Sequence, residues 1–395
     1  MSPGVVLACA CLILCVGFGV RASFGLFLQP MSLEFGWGRE VFSFAMALQN
    51  LLWGALGPLA GGIADRFGAG RVVAAGGVCY VLGLLAMAAS ETPLALQLGS
   101  GFLIGLALAG ATFGVVLAVV ARVTPPEKRS MALGIATAAG SFGQFALLPA
   151  AQLFIEQLDW QGALVALAAV TALIVPLAWA MRGRPAPAAA GSQSLSAALR
   201  EAWRERGFHL LFWGYFVCGF QLLMFTVHLP AYVTDAGLSL RHGMMAVAMI
   251  GLFNIMGCFA FGWLGGRYSK KWLLAAIYLV RAALIAFLIA FPLTPATLYF
   301  FAATMGITWL STVPLTNGLV GQIFGLRYMA MLTSIVFFGH QIGSFLGIWL
   351  AGWLYDATGS YNIAFMIAIA LGIFAALVNL PVDERPIAER KAVMA

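Results

Sequence analysis

Residues 61–71 read Gly61-Gly62-Ile63-Ala64-Asp65-Arg66-Phe67-Gly68-Ala69-Gly70-Arg71. This charged, glycine-rich interruption separates two apolar runs, Val41–Ala64 and Val72–Ala89. An apolar run of about 20 residues crosses the hydrocarbon of a bilayer as a helix, so the interruption is a turn between two spans. Working outward, the runs repeat: Val5–Leu28, Leu94–Ala121, Ser130–Ile155 and Trp160–Met181 complete a first set of six. Phe208–Val233, Gly243–Leu264, Trp272–Phe291, Ala296–Phe324, Tyr328–Leu354 and Tyr361–Leu380 make a second six. Lipid offers backbone N–H and C=O groups no water, so helices are the economical reading.

Composition agrees. With 62% hydrophobic and 9% charged residues, the chain fits a multispanning membrane protein and no soluble globular fold. All but four of the 21 Lys and Arg, the exceptions being Arg21, Arg39, Arg241 and Arg281, fall in alternate connections or the tail. Cytoplasmic loops collect Lys and Arg, which predicts both termini inside and an even helix count. The net charge of +7 therefore reports topology; no basic run interleaved with aromatics points to nucleic acid. The six cysteines lie in apolar runs without metal-ligand spacing and read as packing residues. No cationic region precedes the first apolar run, which is expected to remain as a spanning helix. No P-loop or strand-borne glycine motif is present, so no enzyme activity, nucleotide or other cofactor is expected.

Two six-helix units follow: 1–182 and 208–382, joined by a cytoplasmic linker, 183–207, and ended by a tail, 383–395. The linker opens PAPAAAGSQS (185–194) and turns into LSAALREAWRERG (195–207), a basic stretch suited to the membrane surface. Helices two and eight end alike, Gly61–Arg66 against Gly262–Arg267, and Gly140–Gln144 aligns with His340–Ser344 at a spacing of 200. Such parallel repeats place a substrate site between halves near the midplane.

The stretch GGIADRFGAGR, the twelve spans and the linker resemble the major facilitator superfamily over essentially the whole chain. Gly70 stands where that pattern carries a basic residue. The resemblance implies an all-α, twelve-helix fold of two pseudo-symmetric bundles, and gating roles for Asp65, Arg66 and Arg71. Within the superfamily, SFGLFLQPM (23–31), FGWGRE (35–40), GLFNIMG (251–257) and GHQIGSFLG (339–347) are most similar to the monocarboxylate porter and oxalate/formate exchanger branch. Two departures stand out. The acidic-Gly motif at the start of helix one is missing, and Cys258 replaces the arginine those porters carry four residues after Asn254.

None of the 14 acids lies within an apolar run. Intramembrane carboxylates are the usual ligands of cationic cargo and carriers of protons, so cation export is disfavoured. Arg21 and Arg281 point instead to an anion, since a guanidinium in hydrocarbon needs compensation. Arg21 is expected in the central cavity; Arg281, on a peripheral helix, either reaches inward or is satisfied by Tyr278 and backbone carbonyls. His340 and His228 are the intramembrane groups able to titrate near neutrality, with His340 the expected proton carrier. Gln49, Gln144, Gln221, Asn254, Thr312 and Asn317 complete the candidate substrate contacts, with Gln221 expected to face Arg21. The alternative for each is an interhelical hydrogen bond. The expected function is secondary active transport of a small organic anion with protons, by a monomer in a cell inner membrane. A hydrophobic-compound exporter and a non-transporting membrane sensor remain open alternatives.

Overall fold

In the computed structural model, residues 2–182, 195–324, 329–387 and 389–390 are described, without the side chains of 65, 126–131, 195–198 and 329–330. The PAPAAAGSQS run, the Asp65 side chain and residues 388 and 391–395 of the tail therefore lie outside the described residues.

Helix one is Pro3–Ala22, continued by a tighter turn Ser23–Leu26 and followed by a short helix, Leu28–Phe35. Helix two is Arg39–Phe67 and helix three Ala69–Ala88. Helix seven is Arg206–Asp235, helix eight Leu240–Gly265 and helix nine Lys270–Ala290. Helix eleven is Met329–Thr358 and helix twelve Asn362–Asn379. Among the described residues, 10 helical stretches are long and apolar enough to span a membrane. Two more spans are not counted separately in that set, helix two and one of the pair five and six. Arg39–Phe67 is less apolar but, at 29 residues, amply long. The run Pro126–Thr171 holds helices five and six, because Asp159 (φ 63°, ψ −177°) breaks the helical path.

Close contacts show that the chain reverses there. A Cβ on Gly110, late in helix four, would meet Val72, so helix four ends beside the start of helix three. A Cβ on Gly70 would meet Ala178 and Arg182, so the segment after Asp159 returns to that same end. Asp159 Oδ1 accepts the Gly162 N–H at 2.8 Å and caps the returning helix.

The same three pairings build each half. Helix one packs on five where a Cβ on Gly143 would collide with the Cys15 carbonyl; helix seven packs on eleven where one on Gly343 would collide with that of Phe216. Helix two meets four at Gln49/Leu52 and Gly105; helix eight meets ten at Ile250/Phe253 and Gly306. Helix three meets six at Gly77 and Ile174; helix nine meets twelve at Tyr278 and Gly372. The repeat spacing expected from Gly140–Gln144 and His340–Ser344 is thus repeated in backbone contacts. Small residues let helices approach where lipid gives no hydrophobic drive between them.

Two helices expected to be continuous are not. Helix four comprises Pro93–Leu96, a wide turn Gln97–Leu103, Ile104–Ala111 and, past Thr112, Phe113–Val123. Helix ten stops at Thr308 and resumes at Thr312, giving Pro295–Thr308 and Thr312–Phe324. Broken helices persist at membrane depth only when other groups satisfy the freed backbone, and at the break in helix ten these are Arg281 and Asn254.

Candidate functional site

Contacts between the two halves run from the end opposite the Gly68 turn to mid-depth. At the far end, Arg39 Nη2 meets Asp235 Oδ1 at 2.7 Å and Nη1 donates to Tyr361 Oη at 2.8 Å. The Asp356 carboxylate accepts the backbone N–H groups of Arg39 (2.9 Å) and Glu40 (2.7 Å). The Arg39 guanidinium also lies 3.7 Å over the Tyr355 ring. Gly25 and Gly352 have no room for a Cβ against Thr226 and Ser43. Deeper, Gln144 donates to Val247 O, Asn254 to Ser141 Oγ and Gln341 to Asn50 O. Gly54 touches Gln341, but Gly57 and Gly61, on the same face further along helix two, meet nothing within 4 Å among the described residues. Gly134, on the Ser141 face of helix five, is equally open. Among the described residues, the structure is closed at one end and parted at the Gly68 end.

Arg21 lies at the floor of that parting. Its Nη2 donates to Asn50 Oδ1, and its guanidinium carbon is 4.9 Å from the Trp53 ring centroid. Asn50 is held by donating to Met46 O. The buried Arg21 Nε–H has no acceptor among the described residues. On the closed side, Arg21 borders a cavity of about 10 Å³ with Phe24, Met46, Gln49, Asn50, Leu223, Thr226 and Val227. That is room for about one water, so any larger molecule would have to approach Arg21 from the open side.

The other sequence candidates divide. His340 is buried between Phe337 and Tyr215, stacked on Phe337 at 5.5 Å and 3.0 Å from Gln341 Oε1. Trp53 meets Phe337 at 5.4 Å, so Arg21 and His340 are joined across the halves by two rings. Gln221 does not face Arg21: it donates to Ala368 O and packs on Gly372 of helix twelve. Gln49 donates to Ser100 O, tying helix two to helix four. Asn254 accepts the Leu310 N–H, inside the break of helix ten. Thr312 contacts Cys218 Sγ at 3.2 Å, and Asn317 is half-buried on the second segment of helix ten. His228 belongs to the closed end, contacting Tyr361 Oη, Ile348 O and Ser43 Oγ. Arg66 and Arg71 are exposed at the parted end.

Arg281 is fully buried, and its guanidinium donates to the carbonyls of Thr308 and Trp309 and to Cys218 Sγ. It therefore neutralises the carbonyl end of a broken helix, the favourable place for a cation. Among the described residues, no group of three or more His, Cys, Asp or Glu gathers to hold a metal.

Two features are not evident from sequence. Arg39 reads there as an outer-loop cation; its one signal is a match to Asp235 and Asp356 at outer helix ends. The second is a layer of rings. Phe18 precedes Arg21 by three residues, Trp53 follows Asn50 by three, and Phe337 precedes His340 by three. Phe18 contacts Trp53 at 5.8 Å and Phe113 at 4.3 Å.

A sequence profile of the Major Facilitator Superfamily matches residues 9–347 and 261–395. The chain is 27% identical to the uncharacterized MFS-type transporter YcxA of Bacillus subtilis (strain 168), over 91% of this chain and 90% of that one. It is 28% identical to monocarboxylate transporter 11 of Mus musculus (92% and 83% covered) and 27% identical to monocarboxylate transporter 13 of Bos taurus (92% and 86%). In fold it is similar to a bacterial homologue of the human lysosomal transporter Spinster, solved in an inward-facing and occupied conformation. The TM-score is 0.76 at 16% identity, covering 95% of this chain and 96% of that one. Twelve spans in two repeated halves, parted at one end around a half-buried arginine, and these relatives together place the chain in the major facilitator superfamily as a multi-pass membrane transporter.

Proposed function

We propose that this transporter carries a small organic anion of the monocarboxylate class together with protons, by alternating access. The units that move are 1–182 and 208–382, linked by 183–207 and ended by the tail 383–395. The protein works as a monomer in a cell inner membrane, with both termini and the basic parted end facing the cytoplasm, as the distribution of Lys and Arg supports. Arg21 binds the carboxylate and His340 carries the proton. Asp65, Arg66 and Arg71 act as gating residues when the parted end closes.

The observation that carries this reading is Arg21 itself. Its guanidinium lies between the halves, bonded to a neutral amide and covering a ring, with a buried N–H left over. A bound carboxylate would accept from that donor and neutralise the charge, an exchange that favours binding where water is excluded. The names of the relatives point to the same class of cargo.

Uptake of labelled lactate or pyruvate into proteoliposomes under an inward-directed proton gradient tests the reading. Accumulation above equilibrium is expected, and Arg21→Gln should reduce it at least about tenfold, the loss of one charged hydrogen bond. Transport by Arg21→Gln at the original rate would remove the carboxylate from this position.

A further inference from the structure

Building on the anion reading of Arg21, we infer that the preferred cargo is an aromatic monocarboxylate, an anionic head on a flat ring, rather than a two- or three-carbon acid. Side chains are layered along the cleft. Arg21, Asn50, His340 and Gln341 form a polar floor from helices one, two and eleven. Three residues along each of these helices, about 4.5 Å at 1.5 Å per residue, stand Phe18, Trp53 and Phe337.

Each shift runs toward the parted end. Helices one and eleven approach the closed end along the chain, so Phe18 and Phe337 precede their polar partners. Helix two leaves it, so Trp53 follows its partner. Phe113, just past the break in helix four, extends the wall. The rings are contiguous: Phe113 to Phe18 at 4.3 Å, Phe18 to Trp53 at 5.8 Å, Trp53 to Phe337 at 5.4 Å. Phe18, Phe113 and Phe337 are only half-buried, and the Trp53–Phe337 contact crosses between the halves.

A carboxylate bonded to Arg21 therefore has its substituent directed toward the parted end, against rings. A methyl group leaves most of that wall uncovered. A phenyl or indolyl group meets it edge-to-face or offset-stacked, the arrangements aromatic pairs prefer. Closure at the Gly68 end would bring the remaining side of the cleft onto the same ring, so the wall also favours an occluded state with a flat cargo.

The test uses the purified full chain in proteoliposomes, with lactate, benzoate, phenylacetate and benzyl alcohol as probes. Phenylacetate is expected to compete for uptake up to about tenfold better than lactate, the upper end of one favourable ring contact. It should also raise the melting temperature of the unmutated protein more than lactate does, a readout that needs no variant. Trp53→Ala should lower the phenylacetate-to-lactate ratio about tenfold, and Trp53→Phe should largely restore it. Lactate transport with no preference for ring-bearing acids overturns this inference and leaves the anion reading standing. Binding of benzyl alcohol as tight as phenylacetate overturns it in favour of a carrier for neutral hydrophobic compounds. Failure of every acid to bind or move overturns both.

Discussion

Arg39→Gln should release the closed end. The native guanidinium joins helix two of the first half to Asp235 of helix seven and Tyr361 at the start of helix twelve, while stacking on Tyr355 of helix eleven. Its side chain is 10% exposed and that of Asp235 is 26% exposed. The pair thus sits between a surface ion pair, worth under about 1 kcal/mol, and a buried one, costing about 3–5 kcal/mol to break. Taking about 2 kcal/mol for the pair and up to about 1 kcal/mol for the ring contact gives roughly 2–3 kcal/mol. The bonds from Asp356 to backbone N–H groups survive the substitution and add nothing to this figure. The Arg39 interactions exist only while the far end is shut, so removing them shifts the conformational equilibrium by roughly 30- to 150-fold toward opening there. Spin labels at exposed Leu33 and at exposed Asn362, one in each half, read the separation by pulsed electron paramagnetic resonance. A longer-distance population should grow in Arg39→Gln and, to a smaller extent, in Asp235→Asn, which keeps the Tyr355 and Tyr361 contacts, with little change in the double variant beyond Arg39→Gln, as partners in one interaction require. An unchanged distance distribution in Arg39→Gln would show that this cluster does not hold the end shut.

Further predictions concern the scaffold and the proton. Arg281→Gln should cost about 3 kcal/mol of stability by leaving the Thr308 and Trp309 carbonyls uncapped; melting in detergent measures this. Affinity for the transported acid should change little, and an unchanged melting temperature with abolished affinity would move Arg281 into the binding site. Gly143→Ala and Gly343→Ala should each destabilise by about 1–3 kcal/mol, because the new methyl would collide with the Cys15 carbonyl in one case and that of Phe216 in the other. Equal melting temperatures for both variants and the native chain would refute the tight helix pairing. His340→Ala should flatten the pH dependence of uptake while leaving counterflow exchange. Retained proton-driven accumulation would contradict the proton role.

The fold was legible because bilayer thickness forces long apolar runs, and the parallel between Gly140–Gln144 and His340–Ser344 exposed the repeat. The break in helix ten was not legible. It depends on Arg281 and Asn254, distant in sequence, satisfying carbonyls and an N–H that a continuous helix would satisfy itself. The same limit applied to the amides. Helical register places Gln49, Gln144 and Gln221 on inward faces, but it does not say which amide reaches a neighbouring backbone carbonyl. All three do. Arg21 was legible for a simpler reason: no carboxylate occurs in any span, so its charge had to be met by a neutral partner or by cargo.

The repeat also separates scaffold from chemistry. Where small residues carry helix packing, the halves match: Gly143 with Gly343, Gly105 with Gly306. Where side chains carry charge, they do not. Tyr80 reaches the Gly17 carbonyl on helix one, and at the corresponding place Arg281 reaches Cys218 on helix seven. Arg21 corresponds to Leu222, and His340 to Gly140. A symmetric backbone gives the two halves matching helix pairings on which to rock. The proposed cargo, however, has a single charged head and a direction. With the guanidinium in the first half and the imidazole in the second, the proposed acid would touch both halves at once, through Arg21 and through the Trp53–Phe337 ring pair that spans them. Occupancy then changes how strongly the halves hold each other, which is the differential interaction a ligand needs in order to bias a conformational equilibrium.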